Sequence, residues 1–374
     1  MNKSVYRRVR LNLADPVVLL TLHSGGEDRG VAIVRDLEVH RAAKNLPGYE
    51  VHSYEAFTPE GGLSGDREVR AAQSLAECLR RHGVASVVSD RSLPLLYAHF
   101  MRAAGVGVAC DETLGVADRR RKDAFEREAM ARAQRVTEGV IRRACEMIAR
   151  ADTRDDGTLI DPDDASAALT SEAVMRRIDL WLMDEGCVAD VHIVAGGTEG
   201  EDCHNRGAGP LRSGEPVIVD VFPMDKRSLY HGDCTRTVVH GKVTDEVRSM
   251  HEAVAEAKAA AIGVMRAGVT GEAAHRAAAE VITGRGYHMG FPPEGAGRGY
   301  ASMPHGLGHG LGLSLKEPPL LDIGGPELIE GDIVTVEPGL YMLGVGGIRL
   351  EDMVVVRNDG CENLNTLHEG LDWA

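Results

Sequence analysis

Four acidic residues stand inside segments that otherwise read as apolar strands, and they constrain this chain more than any other feature of its sequence. Asp220 closes the run in VIVDVF, Asp233 opens GDCTRTVV, Glu337 interrupts VTVEPGLY and Glu351 interrupts GGIRLEDMVVV. A carboxylate among buried strands is costly unless something pairs with it, and four brought together would repel one another. Divalent cations remove both difficulties. His309, in PHGLGHGLGLSLKEPP, would add one imidazole to the hard oxygen donors, a set that suits Mn²⁺, Fe²⁺, Co²⁺ or Zn²⁺ better than soft-metal chemistry. Two ions roughly 3.5 Å apart can share and acidify a water and stabilise the charge of a tetrahedral intermediate. Each residue alone has a plainer reading: an Asp at a strand end caps a turn, a His among glycines sits on a loop, and EPG is a common turn. The inference rests on the order and context of all five.

The chain's 374 residues exceed what one core comfortably organises and suit two domains. A net charge of -15 opposes binding to nucleic acid or to anionic membrane surfaces. The one basic cluster, Arg119, Arg120, Arg121 and Lys122, reads as a solvated turn before a helix. Seven scattered cysteines, without a CxxC, indicate reduced thiols and a cytoplasmic protein. The N-terminus lacks the pattern of a signal peptide, and no uncharged apolar run reaches the roughly 20 residues of a membrane span.

Residues 16–22 read as a strand ending at Gly25 and Gly26, 68–82 as a helix, 84–90 as a strand, 93–105 as a helix and 106–110 as a strand. Such alternation implies a small α/β domain with a partly parallel sheet. The texture changes between 112 and 122, which places domains at 1–118 and 119–374. Residues 122–150 form one long amphipathic helical pattern. A further helix is expected from about 163 to 185, opened by Asp163 and Asp164. Beyond 188, β-like runs surround helices at 245–267 and 271–285, an α+β arrangement. The glycine-rich stretch GAGRGYASMPHGLGHGLG lacks the GxxxxGK pattern of a phosphate loop; its glycines are expected to let the backbone turn tightly around His309.

The order Asp, Asp, His, Glu, Glu comes with DxTRT at 233–237, HGxGHGxG at 305–312, EPGLY at 337–341 and GIRxED at 347–352. Together with KDAFEREAMARAQRVT and VHIVAGG…CHNRG, these segments resemble the pita-bread metallopeptidase family M24, which includes methionine aminopeptidase, Xaa-Pro aminopeptidase and prolidase. The resemblance spans roughly residues 120–360 and implies an α+β pita-bread (creatinase/aminopeptidase) catalytic domain. The preceding small α/β domain is similar to that of prolidases and Xaa-Pro aminopeptidases.

By this resemblance two divalent metal ions, manganese first and cobalt, zinc or iron as alternatives, are held by Asp220, Asp233, His309, Glu337 and Glu351. Asp233 and Glu351 bridge both ions, Asp220 binds one, and His309 and Glu337 bind the other. Glu337 also shuttles a proton, His204 and His305 face the substrate, and Arg349 orients Glu351. The implied activity is hydrolysis of the N-terminal bond of a short peptide, of the Xaa-Pro type, by a homodimer. Alternatives on the same fold are a small non-peptide amide substrate and a non-catalytic peptide-binding protein.

Two departures from the family pattern bear on this. Asp220 and Asp233 are thirteen residues apart, two more than is usual; an even insertion keeps both side chains on one face. Lys316 stands where the family carries a substrate-contacting histidine. An ammonium donates to a carbonyl or oxyanion but accepts no hydrogen bond, which bears on substrate choice more than on the metal site.

Overall fold

The computed structural model describes residues 2–24 and 26–374; Gly25, expected at the end of the first strand, and Met1 lie outside them. The chain divides into two compact units, Met1–Arg119 and Arg120–Ala374.

In the first unit, strands Val18–Ser24, Glu27–Val34 and Tyr49–Ser53 form one sheet, antiparallel across the first pair and parallel across the second. Strands Ser86–Ser89 and Gly107–Cys110 pair in parallel. Helix Arg67–Arg81 starts where the Asp66 side chain accepts hydrogen bonds from the backbone N–H groups of Glu68 and Val69. Its apolar face, with Ala71, Leu75 and Leu79, joins Val31, Ile33 and Met101 in one core. The strand Glu27–Val34 goes beyond the elements expected from the sequence. Its first half, Glu27, Asp28 and Arg29, is exposed and charged, and only Val31–Val34 is buried, so it shows no period-two pattern.

The second unit opens with helix Ala124–Ala149, whose first turn is closed by a reciprocal Asp123–Glu126 capping box. The basic cluster before it is not wholly a solvated turn. Lys122 is buried against Glu317 at 2.7 Å, and Arg120 pairs with buried Asp332 at 2.6 Å. Both partners are about two hundred residues away along the chain, out of reach of any local pattern. The helix expected from 163 also begins later, at Ser171, capped by the Thr170 side chain and running to Asp184. Asp161 and Asp164 instead accept from the backbone N–H groups two residues on, those of Asp163 and Ser166. Those local bonds compete with helix and hold the strands Ile160–Asp161 and Asp164–Ala168.

Three sheets then build the site. One has the order Cys234–Val239, Pro216–Val221, His192–Gly196 and is antiparallel throughout. A four-stranded sheet contains Gly339–Met342 beside Gly346–Arg349. A five-stranded sheet contains Gly308–Gly310, Ile333–Val336 and Asp352–Val356. Val217, Val219 and Val221 pack with the helices Ala124–Ala149 and Ser171–Asp184. Val334, Val336, Leu350 and Val354 pack with Asp245–Val264 and Gly271–Gly284. Side chains alternate along a strand, so Asp220, Glu337 and Glu351 are turned away from these helix-backed cores. Among the described residues, no helix is long and apolar enough to cross a membrane.

A buried ionic knot ties the second unit together. Arg236 and Lys258 both bind Asp352, at 2.7 and 2.6 Å, and Arg236 also donates to the carbonyls of Glu351 and His368 at 2.6 and 2.9 Å. Removing one partner leaves charge stranded in the core. Arg236→Ala is therefore expected to cost about 3–5 kcal/mol of stability, read as a lower denaturant midpoint of the metal-free protein. An unchanged midpoint would show that the knot contributes nothing.

Candidate metal centre

Strand register brings the first two acids together. Asp220 lies opposite Thr235 and Val221 opposite Cys234. Asp233, two residues before Thr235, therefore has the same sidedness as Thr235, and it shares a face with Asp220. The thirteen-residue spacing is taken up in the connection between these strands, where Met224–Asp225 pairs with Cys187–Val188. Thr235 also bridges to Glu351 on its other side, and its hydroxyl donates to the Glu351 carboxylate at 2.7 Å. Asp220, Asp233 and Glu351 each offer an oxygen within 4.8 Å of the others.

His309 and Glu337 complete the group. His309 Nε2 stands 3.5 Å from Glu337 Oε1 and 3.9 Å from Asp233 Oδ2. Its Nδ1 lies 3.1 Å from the Gly310 carbonyl. Carbonyl oxygen only accepts, so Nδ1 carries the proton and the Nε2 lone pair faces the acids. Burial, helped by Lys316, lowers the His309 pKa to about 4, so the ring is neutral at pH 7, as a metal ligand must be. The glycines around it serve a purpose other than tight turning. A Cβ on Gly308 would meet the Thr335 carbonyl at 2.2 Å, and one on Gly310 the Pro318 carbonyl at 2.4 Å, while neither has positive φ. They permit close approach of the neighbouring strands.

The acids are under electrostatic load. Burial, then repulsion from Asp220 and Glu337, pushes the Asp233 carboxyl well above its ordinary range. Burial and Asp233 do the same to Glu351, and burial raises Glu337. Asp220 Oδ1 is buried without a hydrogen-bond partner. An orphaned carboxylate oxygen beside two oxygen donors and a neutral imidazole nitrogen fits a divalent cation, which would satisfy the one and neutralise the others.

Arg349 reaches Glu351 only through Thr235. Its guanidinium binds Asp220 Oδ2 at 2.8 Å and reaches Thr235 Oγ1 at 3.4 Å; the residue that holds Glu351 directly is Thr235. Arg349 also donates to the Tyr341 hydroxyl at 2.8 Å, and that hydroxyl lies 2.9 Å from His305 Nε2. His305 Nδ1 faces the Gly306 carbonyl at 2.8 Å, which makes Nε2 the acceptor and Tyr341 its donor. Burial lowers the His305 pKa, consistent with that neutral ring. Tyr341 sits inside the EPGLY segment, and nothing local in the sequence marks it as a link between His305 and Arg349.

The centre opens onto a cleft of about 660 Å³. His204, Asp220, Asp233, His305, His309, Lys316, Glu337, Arg349 and Glu351 all line it, along with Cys203, Phe222, Glu317 and Asp322, which sequence reasoning did not single out. His204 and Lys316 are exposed at its surface.

Comparison with known proteins bears on the family and the fold. The family model for metallopeptidase family M24 matches residues 128–358, well over half of the chain. An uncharacterized peptidase of Bacillus subtilis is 30% identical over 192 residues, 50% of each chain. An Xaa-Pro dipeptidase of Pyrococcus furiosus is 31% identical over 162 residues, 43% of this chain and 42% of the relative. The chain thus spans about half the length of the curated relatives it matches. The solved Xaa-Pro dipeptidase from Bacillus anthracis superposes with a TM-score of 0.78 at 22% identity, covering 99% of this chain and 93% of that one. That likeness shows the fold: an α+β pita-bread unit preceded in the chain by an α/β unit.

Proposed function

The chain belongs to metallopeptidase family M24, and from that premise we propose that it is a dinuclear metal-dependent peptidase cutting the N-terminal bond of short peptides, with Xaa-Pro sequences preferred. The observation that carries the reading is the convergence of Asp220, Asp233 and Glu351 within 4.8 Å, with His309 Nε2 3.5 Å from Glu337. Asp233 and Glu351 would serve both ions, Asp220 one of them, and His309 and Glu337 the other. Bound there, two divalent ions, manganese for preference, supply an acidified water and polarise the scissile carbonyl. The same reading extends to a homodimer, on the strength of the sequence resemblance, and to a cytoplasmic location, on the scattered cysteines.

The chain's own groups do the rest. Glu337, whose pKa is raised by burial, accepts a proton during attack and returns it to the leaving amine. Arg349 fixes Asp220 and, through Tyr341, holds neutral His305 in place. His204 and Lys316 at the cleft surface contact the peptide. Lys316 makes no hydrogen bond or ion pair with another described residue, so its ammonium is available to a substrate carbonyl or carboxylate. That also supports a second reading, hydrolysis of a small non-peptide amide.

The test is turnover of Xaa-Pro dipeptides, Xaa-Pro tripeptides, proline-free peptides and small amides by protein reconstituted separately with Mn²⁺, Co²⁺ and Zn²⁺, followed by mass spectrometry. Cleavage before proline that depends on added metal is expected. Metal-dependent cleavage of the amides alone would favour the second reading, and no turnover with any metal would overturn both.

A further inference from the structure

Besides the buried acids, one other group among the described residues brings three ligand-bearing side chains within 4.8 Å of one another: Asp202, Cys203 and His204. Their chemistry differs from that of the buried centre. A thiol, an imidazole and a carboxylate make an S, N, O set, which favours thiophilic, borderline-soft cations, whereas the all-oxygen triad of Asp220, Asp233 and Glu351 favours hard ones. Zn²⁺ takes such ligands tetrahedrally and keeps an open position when the protein supplies three.

The turn that carries them is held in shape. His204 N–H donates to Asp202 Oδ1 at 2.9 Å and Asn205 N–H to the Asp202 carbonyl at 3.1 Å. The Asn205 side chain is tied to Glu199 at 2.7 Å. Asp202 and His204 are exposed and Cys203 is half-buried, so an ion can enter from solvent. Cys203 and His204 also line the cleft that contains the buried acids. A cation held by this turn therefore sits at the cleft wall and occupies the imidazole assigned to substrate.

We propose that Asp202, Cys203 and His204 form a second metal site, separate from the catalytic centre, that takes a zinc-like divalent cation and blocks the cleft when filled. Binding breaks the Cys203 S–H bond, releases that proton to solvent and forms an Sγ–metal bond, with no change of oxidation state. Blocking rests on the peptidase reading; binding does not.

The two are tested apart. Full-length protein loaded with Mn²⁺ is titrated with Co²⁺ while thiolate-to-cobalt charge-transfer absorption is followed in the near ultraviolet. No thiol stands among Asp220, Asp233, His309, Glu337 and Glu351, so cobalt exchanged into that centre gives no such band. The band is expected to saturate at one equivalent, to vanish in Cys203→Ser and to persist in Cys110→Ser. Its absence from the unchanged protein, or its survival in Cys203→Ser, overturns the site. In the second arm Zn²⁺ is titrated against peptide turnover by the Mn²⁺-loaded protein, each variant relative to its own uninhibited rate. Loss of a ligand is expected to weaken inhibition at least about tenfold in Cys203→Ser. Equal inhibition of both proteins overturns the blocking role. If no peptide is cleaved at all, the peptidase reading fails while the optical titration still decides the site.

Discussion

Glu351→Gln is expected to abolish metal-dependent turnover while making the metal-free protein more stable. The substitution keeps the shape of the side chain and leaves an oxygen to accept from the Thr235 hydroxyl, now 2.7 Å from the carboxylate. It removes one charge from a place where burial and Asp233 already oppose it. At pH 8 the metal-free variant should therefore melt above the metal-free parent. Addition of Mn²⁺ reverses that order. A ligand at a thousand times its dissociation constant stabilises its folded host by about 4 kcal/mol, and a centre lacking its bridging carboxylate gains much less. Bound metal should fall to one ion or none, with turnover reduced at least about a thousandfold. Metal content, melting temperature and rate are three separate readouts. Unchanged metal content with unchanged turnover would remove Glu351 from the centre.

Why are these acids legible in the sequence, when other parts of the site are not? Asp220 and Glu351 lie in runs whose neighbours pack with helices, and an acid there has no local explanation. The surrounding motifs are specific enough to suggest the pita-bread fold that the structural likeness shows. Helices with a clean apolar stripe, Ala124–Ala149, Asp245–Val264 and Gly271–Gly284, are readable for the same local reason. What escapes depends on partners distant in sequence. Lys122 reads as one member of a charged run until Glu317, 195 residues on, is seen against it. The ion pair of Arg349 with Asp220, 129 residues away, is likewise invisible to any local pattern. Tyr341 has a place in the site only through His305 and Arg349. The Asp164 segment misleads differently: good capping residues also make side-chain turns, and here the turns win.

The stability of the metal-free protein is expected to fall as pH rises above neutrality, and a divalent ion should cancel the fall. Asp233 and Glu351 have folded-state pKa values well above the ordinary range, chiefly through burial and then through their charged neighbours. An unfolded carboxyl releases its proton near pH 4, so above that pH the folded protein binds more protons than the unfolded one. Stability then declines with pH, by about 1.4 kcal/mol per pH unit for each such proton, until the folded pKa is passed. The stabilisation is fully present below the unfolded value and lost above the folded one. Asp352 works in the opposite sense. Against the cost of burial, Arg236 and Lys258 hold its pKa below the ordinary value, so its contribution is present above that range and lost as pH falls through the folded pKa. His309, whose folded pKa burial lowers to about 4, likewise contributes stability that is lost as pH falls below the ordinary imidazole value, so the metal-free protein should be most stable near neutral pH, between these losses, and a saturating divalent ion should carry the maximum to more alkaline pH, because binding requires the same acids to be ionised. Denaturant midpoints from pH 7 to pH 9, with and without Mn²⁺, check this. A metal-free midpoint that stays level or rises across that range would mean that Asp233 and Glu351 do not crowd one another in the folded protein.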